Sequence, residues 1–424
     1  MSSAESENVI TLASNNTTQN EFTRAAVEGL GNRVSMTDSD EEAGLQLFCY
    51  VNCNPNDENI VKQCRGVVFN NQEVVMRAFP YTLEYGHKDT DNIIPNISPI
   101  LQDCRVFDSY EGTLIRMFYF NGKWYTCTHR KLNAFRSKWA SKESFGTAFK
   151  KALDSEVKNN DDLRASLPDG DECLLDRFQT TLDPCNQYMF LVLHNEENRI
   201  VCDCPERPTL FHVGTFVDGE LSMNENINIQ RPKEHFFDNV DDMITYIKKI
   251  NIRKMQGVII FAPNNNQYKI LNEEYLEFFK ARGNEPSIKY RYLQVRMDSG
   301  LTDTLYYLYP TMTSKFEEYE EIIYSIAQSI YKSYVERYIK KKWITVPVEE
   351  YNIMRICHAY HEQNRKTNRI SLKKVIEVLN YQSPTIINKI IRKYQNEKDQ
   401  PCDSSQTEEN LKRLSSKRTA PSLQ

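Results

Sequence analysis

The stretch from Val106 to Thr128 limits the possible fold more than any other part of the chain. Val106 and Phe107 lead into a turn at Glu111 and Gly112. Leu114 to Phe120 then runs outward as mostly apolar and aromatic residues. Asn121-Gly122, the pair that two-residue hairpins prefer, comes just before Lys123 to Thr128. That order predicts three strands joined by tight turns, and so an antiparallel sheet. Apolar runs bounded by turn residues recur at 45–51, 64–69, 73–77, 187–193, 209–217, 256–261 and 267–271, and helical patterns lie at 144–153, 240–249 and 274–282. Residues 154–170 are polar and read as an irregular excursion. From residue 301 the period changes: Phe316, Tyr319, Ile322, Ile323, Ile326 and Ile330 repeat at helical spacing. Further helices are predicted over Glu349 to His361, Ser371 to Leu379 and Ser383 to Tyr394, the last with serine and proline at its start. The expected fold class is α+β, antiparallel sheets with helices, followed by an all-α C-terminal domain.

A chain of 424 residues is long enough for two or three domains that need no covalent staples. Its formal charge of −5 provides no global basic field, so any nucleic-acid contact must come from local patches. No apolar run is long enough for a transmembrane helix, and Met1 to Glu5 lack the basic and apolar pattern of a secretory signal. The cysteines are scattered. Cys49 with Cys53 and Cys202 with Cys204 are the nearest pairs, and neither has the second half that a zinc site needs. Reduced thiols in a cytosol-like compartment are the expectation. His358 and His361 stand one helical turn apart without an evident carboxylate partner, so no metal site is assigned. Residues 1–35 and 397–424 are rich in polar and charged residues and are expected to be disordered. They flank a domain at 36–298 and a helical domain at 299–396.

Two local patterns suit phosphate. His129, Arg130, Lys131, Arg136 and Lys138 lie close together, with Phe135 and Trp139 among them. Cations interleaved with aromatics fit RNA contact and base stacking, while Phe135 and Trp139 at helical spacing fit an amphipathic helix with a solvated basic face equally well. Arg65 opens a strand and reads either as a surface residue or as a phosphate contact.

Glu111-Gly112 resembles the second half of the Lys-x-Asp/Glu-Gly signature of covalent nucleotidyltransferases, the polynucleotide ligases and mRNA capping enzymes. An Arg65-Gly66 strand followed by Phe79-Pro80, and the string Glu197, Asn198, Arg199, Ile200, Val201, narrow the resemblance to phage-type, tRNA-repair ATP-dependent RNA ligases. Gln256-Gly257-Val258 resembles their Glu-Gly-Val, and Lys269 their Lys-x-Lys strand. The resemblance implies an ATP-grasp-like ligase domain that uses ATP and Mg2+ to seal 5′-phosphate and 3′-hydroxyl RNA ends, with a helical domain appended for substrate RNA. It implies nucleotide contacts at Arg65, Glu111, Glu197, Arg199 and Lys269, while the RNA contacts expected at His129, Arg130, Lys131, Arg136 and Lys138 rest on the basic and aromatic interleaving alone. Ser109, Glu111, Gly112, Val192, Gln256 and Lys269 occupy the positions of its catalytic groups. Four of the family's positions depart: Ser109 replaces the nucleophilic lysine, Val192 and Gln256 replace glutamates, and Leu271 replaces the second lysine. Serine has no amine, and losing a nucleophile costs several powers of ten in rate. Three readings follow: a catalytically degenerate protein that binds RNA ends or a nucleotide, an active ligase using a displaced lysine such as Lys88, Lys123 or Lys131, and a structural or assembly protein that keeps only the fold. Such a diverged chain suits a large DNA virus, in the host cytoplasm or the virion.

Overall fold

The computed structural model describes residues 22–193, 199–263 and 266–399. The chain divides into two compact units, one reaching Glu277 and one starting at Phe278. In the first unit, fourteen strands are laid down in chain order. They are β1 (Val34–Asp40), β2 (Leu45–Tyr50), β3 (Arg65–Asn70), β4 (Glu73–Met76), β5 (Thr82–Gly86), β6 (Arg105–Ser109), β7 (Thr113–Phe120), β8 (Lys123–Cys127), β9 (Gln187–Leu193), β10 (Thr209–Val217), β11 (Glu220–Ser222), β12 (Glu234–His235), β13 (Gly257–Phe261) and β14 (Gln267–Leu271). They form a four-stranded sheet β1-β2-β3-β4 and two five-stranded sheets, β11-β10-β9-β7-β8 and β12-β6-β13-β14-β5. All pairings are antiparallel except β14 with β5.

Strand alternation explains how the layers stack. On β7, Ile115 and Met117 face helices Phe145–Asn159, Asp161–Ser166 and Leu174–Thr180, joining Phe149, Leu153, Phe178 and Phe190 in one apolar layer. Phe118, on the opposite face, joins Leu47, Val68, Phe107, Met189 and Phe261 in a central core shared by all three sheets. The outer face of the β12–β5 sheet packs Val106, Val258, Ile260 and Ile270 against helices Thr90–Ile97 and Val240–Lys249. Asn121 and Gly122 both take positive φ, 48° and 79°, as do Asp218 and Gly219, so each pair closes a tight hairpin of the kind that Asn-Gly and Asp-Gly favour.

The second unit is helical. Its helices are Ile288–Val295, Ser299–Leu308, Thr313–Tyr334, Val348–Gln363, Leu372–Asn380 and Pro384–Asp399. Phe316, Ile323, Ile326 and Ile330 form a buried stripe on the longest helix. Arg296 grips Glu320 through two hydrogen bonds of 2.6 and 2.7 Å. Tyr290 bonds Thr385, and Tyr292 stacks on Phe316 at 4.5 Å. These contacts explain why the units part at residue 277 rather than at the expected 298: the side chains of Tyr290, Tyr292 and Arg296 are bonded into the helical unit.

Four local expectations fail. Of the three strands over 106–128, only β7 and β8 pair with each other; β6, across the Glu111-Gly112 turn, belongs to another sheet between β12 and β13. Residues 22–35 are not structureless: Thr23 caps a helix at Arg24–Glu28, whose Val27 is buried against Phe48 and Phe69. Residues 154–170 are not an excursion, because the helix from Phe145 runs on to Asn159 and Asn160 caps another at Asp161–Ser166. The 128–139 segment is not an amphipathic helix. It is a turn in which Thr128 N–H donates to Lys131 O, followed by one 3-10 turn at Ala134–Arg136.

Candidate functional site

The Glu111-Gly112 turn joins β6 to β7, and its carboxylate is fully engaged. Glu111 accepts hydrogen bonds from the backbone N–H groups of Val201 at 2.9 Å and Cys202 at 3.1 Å. Ile200 N–H and the Tyr275 hydroxyl also donate to it. Burial raises the carboxyl pKa, and these donors pull it back. The two segments that carried the sequence resemblance, 109–112 and 197–201, are therefore joined through Glu111. Arg199 is occupied as well: its Nε donates to Cys202 O and its Nη2 lies 3.3 Å from Asp203. Glu197 lies outside the described residues.

Ser109 ends β6 with its backbone paired to Gly257, and it is 3% exposed. Gly257 must be glycine, because a Cβ there would stand 2.0 Å from Ile270 O. Gln256 N–H donates to Ser109 O at 2.9 Å and its side-chain Nε2 to Tyr110 O at 2.7 Å. A carboxylate in its place would meet that carbonyl without a proton. Phe107, Ser109, Ile259 and Lys269 share the inner sheet face by register. Lys269 Nζ lies 3.5 Å from Glu84. Val192, by contrast, sits on the helix-covered face with Phe190 and Phe149, away from that surface. Strand alternation makes this unavoidable, because Met189 packs in the central core while Tyr188, Phe190 and Val192 pack under the helices. The site as a set therefore does not include Val192.

The chain's least expected feature is Arg116, a lone cation in the apolar run of β7, and it is 0% exposed. It donates to Gly66 O at 2.5 Å and Thr128 O at 2.6 Å, while its Nε has no partner. Gly66 makes room: φ is +94°, and a Cβ there would stand 2.6 Å from the backbone of His129 and 2.9 Å from Arg116. Arg65 donates to Pro80 O and to Thr82, whose hydroxyl bonds Gln267, so the guanidinium bridges two sheets. His129 is solvent-exposed as a residue, yet crowding of its ring and then the charges of Arg116, Arg65 and Arg130 push its pKa below the ordinary histidine range. His129, Arg65, Arg116 and Arg130 are thus close enough for their charges to act on one another. Among the described residues, Arg65, Arg116 and Arg130 have no carboxylate ion-pair partner.

The rest of the expected basic patch does not gather there. Lys131 lies 3.5 Å from Asp38, which also accepts from Leu132 N–H. Phe135 packs on Gly146 and under Lys150 instead of standing free for a base. Arg136 and Lys138 are exposed. The substitute lysines are placed no better for attack: Lys123 lies 3.6 Å from Asp40, and Lys88 is exposed beyond the end of β5. Asp108, adjacent to Ser109, turns to the opposite face and accepts from His235 at 2.8 Å and Tyr246 at 2.7 Å. Among the described residues no three His, Cys, Asp or Glu side chains come together as metal ligands. With Glu111 held by amides and Gln256 by Tyr110, the described residues do not fit the magnesium chemistry that the resemblance implied. Arg116 and Tyr275 were missed from sequence. For Arg116 the signal was present, a single arginine between Ile115 and Met117.

The molecule is thus an α+β protein with a three-sheet unit, in which Arg65, Arg116 and Arg130 lie around His129 with no carboxylate partner among the described residues, followed by a helical unit. No model of a known protein family matches it. It is 30% identical over 332 residues to the immediate-early protein ICP-46 homolog of Invertebrate iridescent virus 3, covering 76% of this chain and 68% of that protein. It is 26% identical over 409 residues to the homolog of Invertebrate iridescent virus 6, covering 89% and 86%, and 29% identical over 256 residues to immediate-early protein ICP-46 of Frog virus 3 (isolate Goorha), covering 58% and 62%. The chain belongs to the ICP-46 immediate-early protein family. Among solved structures, an archaeal ATP-dependent RNA ligase aligns with a TM-score of 0.39 and 14% identity, covering 68% of this chain and 75% of that one. A Naegleria gruberi RNA ligase aligns at 0.31 and 10%, covering 46% and 56%. No helix of the described residues is long and apolar enough to cross a membrane.

Proposed function

We propose that the first unit is a ligase-type nucleotidyltransferase domain that has kept a binding surface and lost the covalent step, and that it holds a phosphorylated RNA end or a nucleotide at Arg65, His129 and Arg130 with Arg116 behind them. One observation carries this reading: a fully buried guanidinium with two neighbouring arginines and no carboxylate among the described residues to neutralise them. Burying such a charge costs several kcal/mol unless it is compensated, and a phosphate held at Arg65 and Arg130 would supply negative charge close to it. Ser109 supports the silent chemistry, because no amine stands at the end of β6. The engagement of Lys123, Lys131 and Lys269 by Asp40, Asp38 and Glu84 speaks against a displaced nucleophile.

The test compares binding of 5′-phosphorylated and 5′-hydroxyl versions of one short RNA by fluorescence anisotropy. The phosphorylated end binds about ten-fold tighter to the native protein, the worth of one good charge-assisted contact. The Arg130→Ala variant, whose side chain is exposed, loses most of that preference while keeping its melting temperature, and the Arg65→Ala/Arg130→Ala variant, which also loses the Arg65 bridge between sheets, loses the rest. Equal binding of the two ends, or a preference that survives in the double variant, overturns the assignment.

A further inference from the structure

The helical unit carries a second arrangement of cations and rings, at the end of its longest helix. Thr313–Tyr334 does not stop in an ordinary cap. It widens into a π-helical turn, Val335–Ile339, in which Lys340 N–H donates to Val335 O at 2.9 Å. Lys341 then takes a left-handed conformation, φ +56°, which a lysine adopts only at some cost. Lys342 N–H closes the bend onto Glu336 O at 2.9 Å. Two uncommon backbone features thus follow one another, and π-turns and left-handed non-glycine residues concentrate at functional sites.

The bend puts Lys340, Lys341, Lys342 and Trp343 on the surface in succession. Trp343 is 90% exposed, for a residue type whose large apolar ring is ordinarily mostly buried. The Arg337 guanidinium lies 5.9 Å from the Trp343 ring centre, 5.0 Å from Tyr351 and 6.0 Å from Tyr338. Tyr338 in turn stacks on His358 at 3.9 Å. Glu336 is the one carboxylate within this stretch. It holds Lys340 at 2.6 Å and Lys342 at 2.9 Å, which fixes two lysines in place and leaves Arg337 and Lys341 with no ion-pair partner among the described residues. Folding gains little from exposing a tryptophan beside a lysine triplet at a strained bend.

We propose that this bend is a contact surface for single-stranded RNA, with one base stacked on Trp343 and the adjoining phosphates met by Arg337, Lys340, Lys341 and Lys342. Aromatic platforms beside tracking cations are the general solution for unpaired strands, because every base has a π face and every nucleotide a phosphate. A membrane surface is less well matched. Interfacial binding needs an apolar stripe along a helix, whereas the exposed apolar groups here are Ile339, Trp343 and Val348 around one turn. RNA is chosen as the probe on the strength of the reading proposed for Arg65, His129 and Arg130, but this surface uses none of those residues.

The test uses the full chain and a labelled oligouridylate with a 5′-hydroxyl, so that recognition of a phosphorylated end plays no part. Trp343→Ala weakens binding about ten-fold, one stacked base, and Trp343→Phe keeps most of it. Replacing Lys340, Lys341 and Lys342 together by alanine flattens the slope of log K against log salt by about two, at roughly 0.7 per released phosphate contact. Trp343 touches little, so the melting temperature stays within about a degree for its alanine variant. The Arg65→Ala/Arg130→Ala variant serves as comparator: it keeps oligouridylate binding if the two surfaces are separate, and failure of the phosphate preference there leaves this result intact. Binding unchanged by Trp343→Ala overturns the proposal. So does Trp343-dependent sedimentation with phosphatidylserine vesicles in the absence of oligouridylate binding, which would reassign the bend to membranes.

Discussion

At the residue scale the most constrained side chain is Glu111, a carboxylate whose lone pairs are taken by the amides of Ile200, Val201 and Cys202 and by the Tyr275 hydroxyl. The acid is tying two loops together. A glutamine keeps one acceptor and turns an NH2 group toward amides that can only donate. Glu111→Gln is therefore expected to lower stability by about 2 kcal/mol, the worth of charge-assisted bonds lost with donors left unmet, and urea unfolding measures it. A loss under half that would mean the amides find water instead. Gly66 is comparably fixed by geometry. With φ at +94° and the His129 backbone 2.6 Å from where a Cβ would stand, Gly66→Ala strains the backbone and pushes the 128–130 turn off Arg116. It should cost about 2–4 kcal/mol, read as a shift in the urea midpoint.

At the scale of elements, the strands were legible because turn chemistry and alternation agree. Asn121-Gly122 and Asp218-Gly219 mark hairpins, and the apolar runs at 187–193, 209–217 and 267–271 fall on β9, β10 and β14. The helical stripe from Phe316 to Ile330 was equally plain. What could not be read was the facing of single positions. Val192 follows a fully apolar run with no alternation, so nothing in the residues says which face it takes, and only the packing of Phe149 and Phe178 decides it. Arg116 stood out as a lone cation in an apolar run, but its role stayed hidden because its partners are carbonyls, which leave no trace in side-chain identity. The helix Arg24–Glu28 was hidden because five residues carry too little periodicity.

An element-scale prediction concerns β10. His212 is 1% exposed, bonded through Nε2 to Gly214 O and Thr215. Burial, and then the charge of Arg231, push its pKa down to about 3. The unfolded chain takes up this proton near pH 6.5, while the folded strand refuses it down to about pH 3, so stability is present above the unfolded value and falls as pH drops through that window. Between about pH 6.5 and pH 5 the fall approaches 2 kcal/mol at about 1.4 kcal/mol per unit. In His212→Asn that share of the acid sensitivity should disappear, whatever the variant's stability at neutral pH. Parallel pH profiles in urea would expose the opposite result.

At the scale of the whole molecule, the missing chemistry is spread over positions that the fold uses for other ends. Ser109 is buried with its backbone paired to Gly257, Gln256 spends its amide on Tyr110 O, Glu111 is saturated, and Lys269 lies against Glu84. Restoring one group should then restore nothing. Ser109→Lys places an ammonium in a nearly closed position with no carboxylate arranged for it, at a cost of about 2–4 kcal/mol from burying an unpaired charge. The variant should be measurably less stable and should take no label from α-phosphate-labelled ATP with magnesium, resolved on a denaturing gel. Adding Gln256→Glu should make matters worse, because the new carboxylate faces the Tyr110 carbonyl where an NH2 group now donates at 2.7 Å. A covalently labelled band on Ser109→Lys alone would mean that phosphate positioning and metal capture had survived intact around an otherwise ordinary ligase centre. Arg65, Arg116 and Arg130 would then be parts of a working active site that lacks one amine, and the reading of a retained binding surface would have to be given up.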